Sequence, residues 1–348
     1  MHASGLRLAV NARPVAVVTG ASAGVGRATA VEFADHGFDV ALLARGEAGL
    51  AAAARDVEAR GVVALPLCVD VAAFAEVDRA ADAVERELGP VSCWVNNAMT
   101  TVFAPVGEVD PAEFQRAIEV TFLGQVWGTM VALARMRPRD EGSIVNVGSA
   151  LAFIGIPLQS AYCSAKFACR GFFESARAEL LHEKSNVRLC MVHLPAVNTP
   201  QFAWCETKLA RSPQPVPPIY QPETPARFIV ESALTGRRSK VVGSWNKALV
   251  VGAMVAPGFG DQYAAAGAWE SQLTDRPVDP DRRVNLWEPV DDVRDRGAHG
   301  TFDDIAGGFT DPSFLASLPG TAKTFGLALA RRVREKTRRS RRQVHASR

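Results

Sequence analysis

The sequence has no long apolar run, and this absence limits the class of protein. No stretch reaches the ~20 apolar residues that a transmembrane helix needs, and the longest, residues 248–259, is interrupted by Pro257. The first residues have neither a basic start nor a sustained apolar block, so no secretory signal is expected. With 48% hydrophobic and 22% charged residues, the composition predicts a globular protein, which we expect in the cytoplasm.

The sequence also lacks closely spaced cysteine pairs of the kind that bind metal ions or form disulfides. The six cysteines are scattered without a CxxC pair, which favours free thiols in a reducing compartment over disulfides or zinc. Acidic residues and one histidine cluster between residues 291 and 304, but arginines are interspersed among them. A charge-mixed loop explains that segment better than a metal site, so no metal is predicted.

Excess charge is confined to one end of the chain. The net charge is only +2, yet residues 331–348 contain nine Lys or Arg against one acid. The remainder is therefore slightly acidic, which argues against a nucleic-acid partner. For this basic tail we expect solvation, with at most a weak contact to anionic membranes, because its apolar stripe is short.

Short apolar runs alternate with Ala-rich amphipathic stretches over the first 245 residues. Apolar strands separated by helices are typical of an α/β fold with a doubly wound, Rossmann-type parallel sheet covered by helices on both faces. Strands are predicted near residues 15–19, 38–43, 62–69, 91–95, 143–147, 187–193 and 240–243. Helices are predicted near residues 24–36, 47–60, 73–88, 110–134, 160–184 and 224–235.

The alternation stops after Trp245. We therefore divide the chain into one α/β domain, residues 1–245, and a mainly helical or irregular C-terminal extension, residues 246–348. Apolar residues become sparse after residue 275, which leaves little for a separate core. We expect the extension to pack near the mouth of the main site or at a subunit interface.

A glycine-rich turn, TGASAGVG, connects the first predicted strand to the first helix. Glycines there let backbone N–H groups approach a pyrophosphate, and the helix N-terminus adds partial positive charge. Tight turns need glycine in any case, so it is the position after the first strand that indicates a dinucleotide. The predicted contacts are Gly20, Ser22, Ala23, Gly24, Val25 and Gly26.

The end of the second predicted strand distinguishes the two nicotinamide cofactors. NAD(H) sites place an acid there for the ribose hydroxyls, whereas an arginine suits a 2′-phosphate. This chain has Arg45, whose planar fork can bind phosphate with two hydrogen bonds; the alternative is a solvated surface arginine. We therefore predict NADP(H) rather than NAD(H). Asp70, which ends the third strand, is expected either to accept from the adenine amino group or to cap the next helix.

A tyrosine and a lysine lie four residues apart in YCSAK, and a serine ends the fifth predicted strand. On a helix Tyr162 and Lys166 face the same side, and a nearby cation lowers the pKa of a phenol. Such a tyrosine can exchange protons near neutral pH. Ser149 lies at the carboxyl edge of the sheet, where doubly wound folds bind ligands.

Four features therefore occur in one order: TGxxxGxG, Asn96-Asn97-Ala98, a strand ending in serine, and YxxxK. Together they resemble the short-chain dehydrogenase/reductase family over about residues 12–245. The resemblance implies an oxidoreductase that transfers a hydride between NADP(H) and a ketone, aldehyde or secondary alcohol. A non-catalytic cofactor-binding regulator or scaffold is the alternative, and the intact Ser149, Tyr162 and Lys166 argue against it.

The resemblance also implies roles for the matching residues. Tyr162 would protonate the carbonyl oxygen as general acid/base, Lys166 would bind the nicotinamide ribose, and Ser149 would hydrogen-bond the substrate oxygen. The segment from Pro195 to Thr199 resembles the family's loop that contacts the nicotinamide carboxamide. Further cofactor contacts are expected from Val71, Asn97, Ala98, Pro195, Val197 and Thr199.

Three residues depart from the family pattern. Met99 follows Asn-Asn-Ala where the family usually has glycine, and Ala196 follows Pro195 where glycine is also usual. Thr121 stands where an asparagine often anchors a proton-relay water. Because threonine still offers a hydroxyl, we include it among the catalytic residues.

Apolar side chains near the predicted site suggest an apolar substrate, although core packing explains each of them equally well. They are Met99, Phe103, Phe153, Phe202, Trp204 and Trp245. We also expect a homodimer or homotetramer.

Overall fold

The computed structural model describes residues 13–307 other than 256, 257, 259, 260 and 263. The predicted basic tail, residues 331–348, lies outside the described residues. The described chain is built on a seven-stranded parallel sheet with helices on both faces, which confirms the doubly wound prediction.

The seven strands of the main sheet begin and end within a few residues of the predicted positions, whereas the six short strands described outside it have no predicted counterpart. They are β1 (Val15–Thr19), β2 (Asp39–Ala44), β3 (Ala64–Cys68), β4 (Val91–Asn96), β5 (Val102–Phe103), β6 (Ser143–Ser149), β7 (Arg188–Leu194), β8 (Ala196–Val197), β9 (Glu206–Thr207), β10 (Arg211–Pro213), β11 (Ile219–Tyr220), β12 (Ser239–Val241) and β13 (Leu273–Pro277). The main sheet has the order β3-β2-β1-β4-β6-β7-β12. The order reverses between β1 and β4, and doubly wound sheets bind ligands at the carboxyl ends of strands at such a point.

Helices cover both faces of the main sheet, and shorter helices lie outside these two layers. They are α1 (Gly24–Asp35), α2 (Glu47–Glu58), α3 (Phe74–Glu87), α4 (Pro111–Ile118), α5 (Gly124–Met136), α6 (Ser160–His182), α7 (Gln201–Trp204), α8 (Glu223–Thr235), α9 (Ser244–Val255) and α10 (Trp269–Ser271). Phe33 of α1 and Ile229 of α8 belong to the core on one face. Met136 of α5 and Phe173 of α6 belong to the core on the other.

Local sequence explains where helices start and stop. The Asp110 carboxylate accepts from the Ala112 N–H at 2.8 Å, and the Glu113 carboxylate accepts from the Asp110 N–H at 3.2 Å. This capping box, with Pro111 in the first turn, fixes the start of α4. α8 ends at Gly236, whose φ of 69° lies in the left-handed region.

One helical stretch in the described residues, Pro111–Arg139, is long and apolar enough to cross a membrane by length and composition alone. It comprises α4, a π-helical turn over Glu119–Leu123, and α5. Half of its most apolar window is buried inside the protein.

The extension packs back on the α/β domain. β10, in the proline-rich segment predicted as a loop, pairs antiparallel with β13 of the extension. Beyond β13, residues 284–306, here called the strap, contact the segments that follow β1, β2 and β7. These segments lie at the carboxyl edge of the sheet, so the strap runs along the edge where ligands bind.

Candidate active site

The glycine loop between β1 and α1 packs tightly against the turn after β4. A Cβ on Gly20 would lie 2.9 Å from the Ala98 Cα, and one on Gly26 would overlap the Gly20 carbonyl oxygen. The Thr19 hydroxyl accepts from the backbone N–H groups of Asn97, at 2.9 Å, and Ala98, at 3.0 Å. The glycine loop, residues 19–26, and the turn at residues 96–98 therefore pack as one unit, here called the cradle. Side chains at Gly20 and Gly26 would have no room in it.

Ser149, Tyr162 and Lys166 come together beside this cradle. Ser149 ends β6, and the other two lie one turn apart on α6. The Lys166 ammonium is buried, donates to the Val147 carbonyl at 2.7 Å, and lies 5.6 Å from the centre of the Tyr162 ring. A hydrogen bond joins Ser149 to the Tyr162 phenol. The structure thus assembles the three side chains that the sequence assigned to the chemistry.

Burial dominates the protonation of the tyrosine and the lysine. Loss of water raises the pKa of Tyr162, and the hydrogen bond from Ser149 offsets only part of that rise. Loss of water also lowers the pKa of Lys166. The lowered Tyr162 pKa expected from the nearby ammonium is therefore not seen in this structure, because desolvation of the phenolate is the largest cause of the shift and raises the pKa. Tyr162 is protonated at neutral pH.

A groove of about 360 Å³ contains both the cradle and the reaction centre. Of the predicted cofactor contacts, only Gly26 does not line it; its missing side chain lets α1 approach the loop. The predicted residues that line the groove are Gly20, Ser22, Ala23, Gly24, Val25, Arg45, Asp70, Val71, Asn97, Ala98, Ser149, Tyr162, Lys166, Pro195, Val197 and Thr199.

Thr121 has a different role from the predicted one. It is fully buried in the π-helical turn and does not line the groove. Its hydroxyl donates to the Thr100 carbonyl at 2.8 Å and accepts from the Thr100 N–H at 3.0 Å. The single hydroxyl proton is used in the bond to the Thr100 carbonyl, which holds the segment after β4 in place. This arrangement does not support a place for Thr121 in a proton relay.

Arg45 follows β2, where the sequence placed it, but its guanidinium contacts the strap. It donates to the Trp287 carbonyl at 2.6 Å and to the carbonyls of Asn285 and Leu286. A 2′-phosphate contact stays a prediction, and it would use N–H donors that the strap carbonyls leave available.

Asp70 borders the groove and is held by two protein partners. Its carboxylate forms an ion pair with Arg116 at 2.5 Å and accepts from the Ala72 N–H at 3.0 Å. The second bond belongs to the turn that precedes α3. A contact with an adenine amino group stays a prediction.

The strap supplies groove residues that the sequence did not indicate. They are Asn285, Pro289, Val290 and Asp291. Leu286 anchors this part because it is fully buried against Val102 and Ala104. No motif marks these residues, since their position depends on the folded path of the extension.

The strap continues from one end of the groove to the other. The Ala48 N–H donates to the Asp292 carbonyl at 3.2 Å, and the Gly24 N–H donates to the Gly297 carbonyl at 3.2 Å. Farther along, the Gly300 N–H donates to the Asn198 carbonyl at 3.2 Å. The strap therefore contacts the predicted adenosine, pyrophosphate and nicotinamide regions in turn.

Three of the acidic residues between 291 and 304, and the histidine, form ion pairs. The pairs include Asp292–Arg283, Asp295–Arg27 and His299–Glu223. In the described part of the chain, no group of three His, Cys, Asp or Glu side chains is arranged to hold a metal ion.

The end of the groove beyond Tyr162 is apolar. Four of the six predicted pocket residues line it: Met99, Phe202, Trp204 and Trp245. Phe153 instead packs edge-on against His193, with ring centres 4.7 Å apart. Phe103 belongs to a buried cluster beneath the groove.

Comparison with known proteins places this arrangement in a family. The family model described as short chain dehydrogenase matches residues 14–208. An uncharacterized oxidoreductase of Bacillus subtilis, YxnA, is 31% identical over 287 residues, which cover 82% of this chain and 81% of that protein. The chain belongs to the short-chain dehydrogenase/reductase family. It is therefore an oxidoreductase of that family.

Other relatives have more specific names. The 3-dehydrosphinganine reductase of Danio rerio is 33% identical over 238 residues, covering 65% of this chain and 70% of that protein. The alcohol dehydrogenase of Thermococcus sibiricus, solved with 5-hydroxy-NADP, has a TM-score of 0.57 at 26% identity, covering 66% of this chain and 95% of that one. A short-chain dehydrogenase/reductase of Burkholderia phymatum, solved with NAD, shares the fold with a TM-score of 0.64 at 22% identity, covering 69% and 92% of the two chains.

Proposed function

We propose that this protein reduces an apolar ketone or aldehyde to the alcohol, or oxidises the alcohol, with a nicotinamide dinucleotide as cofactor. The observation that carries the proposal is the convergence of Ser149, Tyr162 and Lys166 on a groove that also contains the glycine cradle. The relative named as a reductase of 3-dehydrosphinganine supports the substrate class. A homo-oligomeric state and a cytoplasmic location stay predictions.

The residues of the groove fit a dinucleotide. The cradle at Gly20 and Gly26 excludes side chains, which lets backbone N–H groups approach a pyrophosphate at the start of α1. Lys166 would bind the nicotinamide ribose. When bound, the cofactor supplies or accepts the hydride.

The protein's own side chains would handle the proton and the oxygen. In reduction, Tyr162 gives its hydroxyl proton to the carbonyl oxygen as the hydride adds to the carbonyl carbon, and the alcohol results. Burial keeps Tyr162 protonated, so it is ready to donate. Ser149 donates a hydrogen bond to the same oxygen, where negative charge develops. The Lys166 ammonium stabilises the phenolate that remains.

Two residues bear on the choice of cofactor in opposite directions. Arg45 supports NADP(H), as does the similarity to the Thermococcus sibiricus enzyme solved with 5-hydroxy-NADP. Asp291 of the strap, which also lines the groove, supports NAD(H) because a carboxylate suits a free ribose hydroxyl.

A cofactor-binding regulator without turnover is the second candidate. The observation behind it is the strap, because a cofactor that must displace strap contacts at Arg45 and the Gly24 N–H would be exchanged slowly. It predicts cofactor binding without consumption for any carbonyl compound.

The test is a panel of ketones, quinones, steroids and fatty aldehydes, scored by consumption of NADH and of NADPH. With an accepted substrate, Tyr162→Phe should lower turnover at least about a hundredfold, because the ring is kept and only the proton donor is lost. Its dissociation constant for the cofactor should change little. A Tyr162→Phe enzyme that retains most of its activity would refute the mechanism.

A further inference from the structure

Asp291 is a buried carboxylate at the wall of the groove. Its side chain is only 7% exposed, and its Oδ2 has no hydrogen-bond partner in the described residues. A buried acceptor without a donor is costly, so such groups in native proteins need an explanation. Asp291 also lines the groove, so its carboxylate lies at the wall that a bound ligand would contact.

The position of Asp291 is fixed by backbone bonds. Its carbonyl accepts from the Gly49 N–H at 2.9 Å, and the next carbonyl, of Asp292, accepts from the Ala48 N–H. These bonds hold the strap against the first turn of α2. The carboxylate therefore occupies a defined place instead of moving with a surface loop.

Glycines make room for this carboxylate. A Cβ on Gly46 would overlap Oδ1 of Asp291, and a Cβ on Gly49 would overlap Oδ2. The same Cβ on Gly49 would lie 2.9 Å from the Cβ of Ser22 in the glycine loop. The carboxylate thus lies between the end of β2 and the loop that would hold the pyrophosphate. In doubly wound folds, this is the place of the adenosine ribose.

The neighbouring cation does not neutralise Asp291 by direct contact. Arg45 forms no ion pair with it in the described part of the chain, and its guanidinium donates to the carbonyls of the strap. Arg45 and Asp291 interact by charge without direct contact, so the oxygen atoms of the carboxylate are left as acceptors for the ribose. A free 2′-hydroxyl can donate to it, whereas a 2′-phosphate offers only negative charge and acceptor atoms.

We propose that Asp291 accepts a hydrogen bond from the adenosine ribose and selects NAD(H) against NADP(H). This inference rests on the proposed function for the presence of the cofactor. In doubly wound sites the acidic residue for the ribose normally ends the second strand. Here the C-terminal extension supplies it from some 245 residues farther along the chain.

The test is the ratio of the dissociation constants for NADPH and NADH, measured by titration without substrate. The full-length protein should bind NADH at least about tenfold more tightly. Asp291→Asn keeps the shape and one acceptor but removes the charge, so the ratio should fall at least about tenfold, mainly through tighter NADPH binding. Asp291→Ala should instead weaken NADH. Asp292→Asn is the matched control, because Asp292 pairs with exposed Arg283, and it should leave the ratio unchanged.

Several outcomes would overturn the inference. The first is a full-length protein that binds NADPH as tightly as NADH. The second is a ratio of dissociation constants that changes by less than about twofold in Asp291→Asn. The third is an equal change of that ratio in Asp292→Asn.

Melting curves verify that each variant folds. If Asp291→Asn does not fold, the NADH affinity of Asp291→Ala decides alone. If neither cofactor binds, the proposed function fails as well. If both bind but no carbonyl compound is reduced, only the proposed function fails, because the ratio needs no turnover.

Discussion

At the scale of single residues, His193 links the reaction centre to folding stability. It lies on β7, is 2% exposed, and its Nδ1 is 3.2 Å from the carbonyl oxygen of Ser149. Burial lowers its pKa from 6.5 to about 4, and the Ser149 carbonyl offsets only part of this shift. This is the environment of a core histidine on a buried strand.

The pH dependence follows from the sign of that shift. Between pH 6.5 and about 4 the unfolded chain binds a proton at His193 that the folded chain does not, so stability falls as the pH decreases through this window. Between pH 7 and 4.5 the loss due to His193 is about 2 kcal/mol. We predict that His193→Gln reduces the loss of unfolding free energy over this range by that order. Denaturant titrations at the two pH values measure it.

The control for this prediction is His36→Gln, since His36 is exposed at the end of α1. This variant should lose as much stability in acid as the unchanged protein. An equal acid loss in His193→Gln would mean that other groups cause the acid sensitivity.

At the scale of elements, the strap is held by buried apolar residues, of which Leu286 is the least exposed anchor, and by a series of backbone bonds. Leu286 fills a small cluster with Val102 and Ala104 and is not exposed to solvent. Arg27, itself buried in α1, forms an ion pair with Asp295 farther along the strap. The strap should therefore loosen as a unit when its apolar anchor is removed.

We predict that Leu286→Ala weakens the attachment of the strap by about 2–5 kcal/mol, the usual cost of truncating a buried leucine. The N–H groups of Ala48 and Gly49 report on it, because both donate to strap carbonyls. Their hydrogen exchange should accelerate, while that of the central strands remains slow. Val293→Ala, in an exposed part of the strap, is the matched control. Unchanged exchange at Ala48 and Gly49 in Leu286→Ala would contradict the assigned anchor.

The sequence predicts the main sheet and the reaction centre well because both depend on local patterns. The central strands are uniformly apolar, and Tyr162 and Lys166 share a helix face by spacing alone. The strap is different. It is held largely through backbone carbonyls, as at Arg45. Every residue type has a backbone carbonyl, so the sequence does not indicate which residues make these contacts. Its signal in the sequence is the glycine pair Gly46 and Gly49, which tight turns or helix starts also explain.

Thr121 shows the same limit within the site. A family pattern indicates which residue type stands at a position, but the direction of a hydroxyl depends on the neighbouring backbone. Here Thr100 takes both the proton and a lone pair of that hydroxyl. The raised pKa of Tyr162 likewise depends on burial, which the YxxxK spacing does not specify.

At the scale of the whole molecule, the extension should fold with the α/β domain. β13 pairs with β10, Leu286 packs on Val102, and Phe302 meets Phe202 with ring centres 6.0 Å apart. In the described extension, the apolar clusters therefore include residues of the α/β domain.

We predict that limited proteolysis does not release a stable, folded extension together with a fully active 1–245 fragment. Mass spectrometry and activity assays of the digest measure this, and recovery of both pieces would contradict it.

The bonds from the strap to Ala48, Gly24 and Asn198 also affect timing. Because they follow the groove from the adenosine region to the nicotinamide region, we expect several of them to open when a dinucleotide enters or leaves. A small carbonyl compound needs only the apolar mouth near Trp245. We therefore expect a long residence time for the cofactor and rapid exchange of the substrate. Release of the cofactor after hydride transfer, and not the transfer itself, would then be the rate-limiting step.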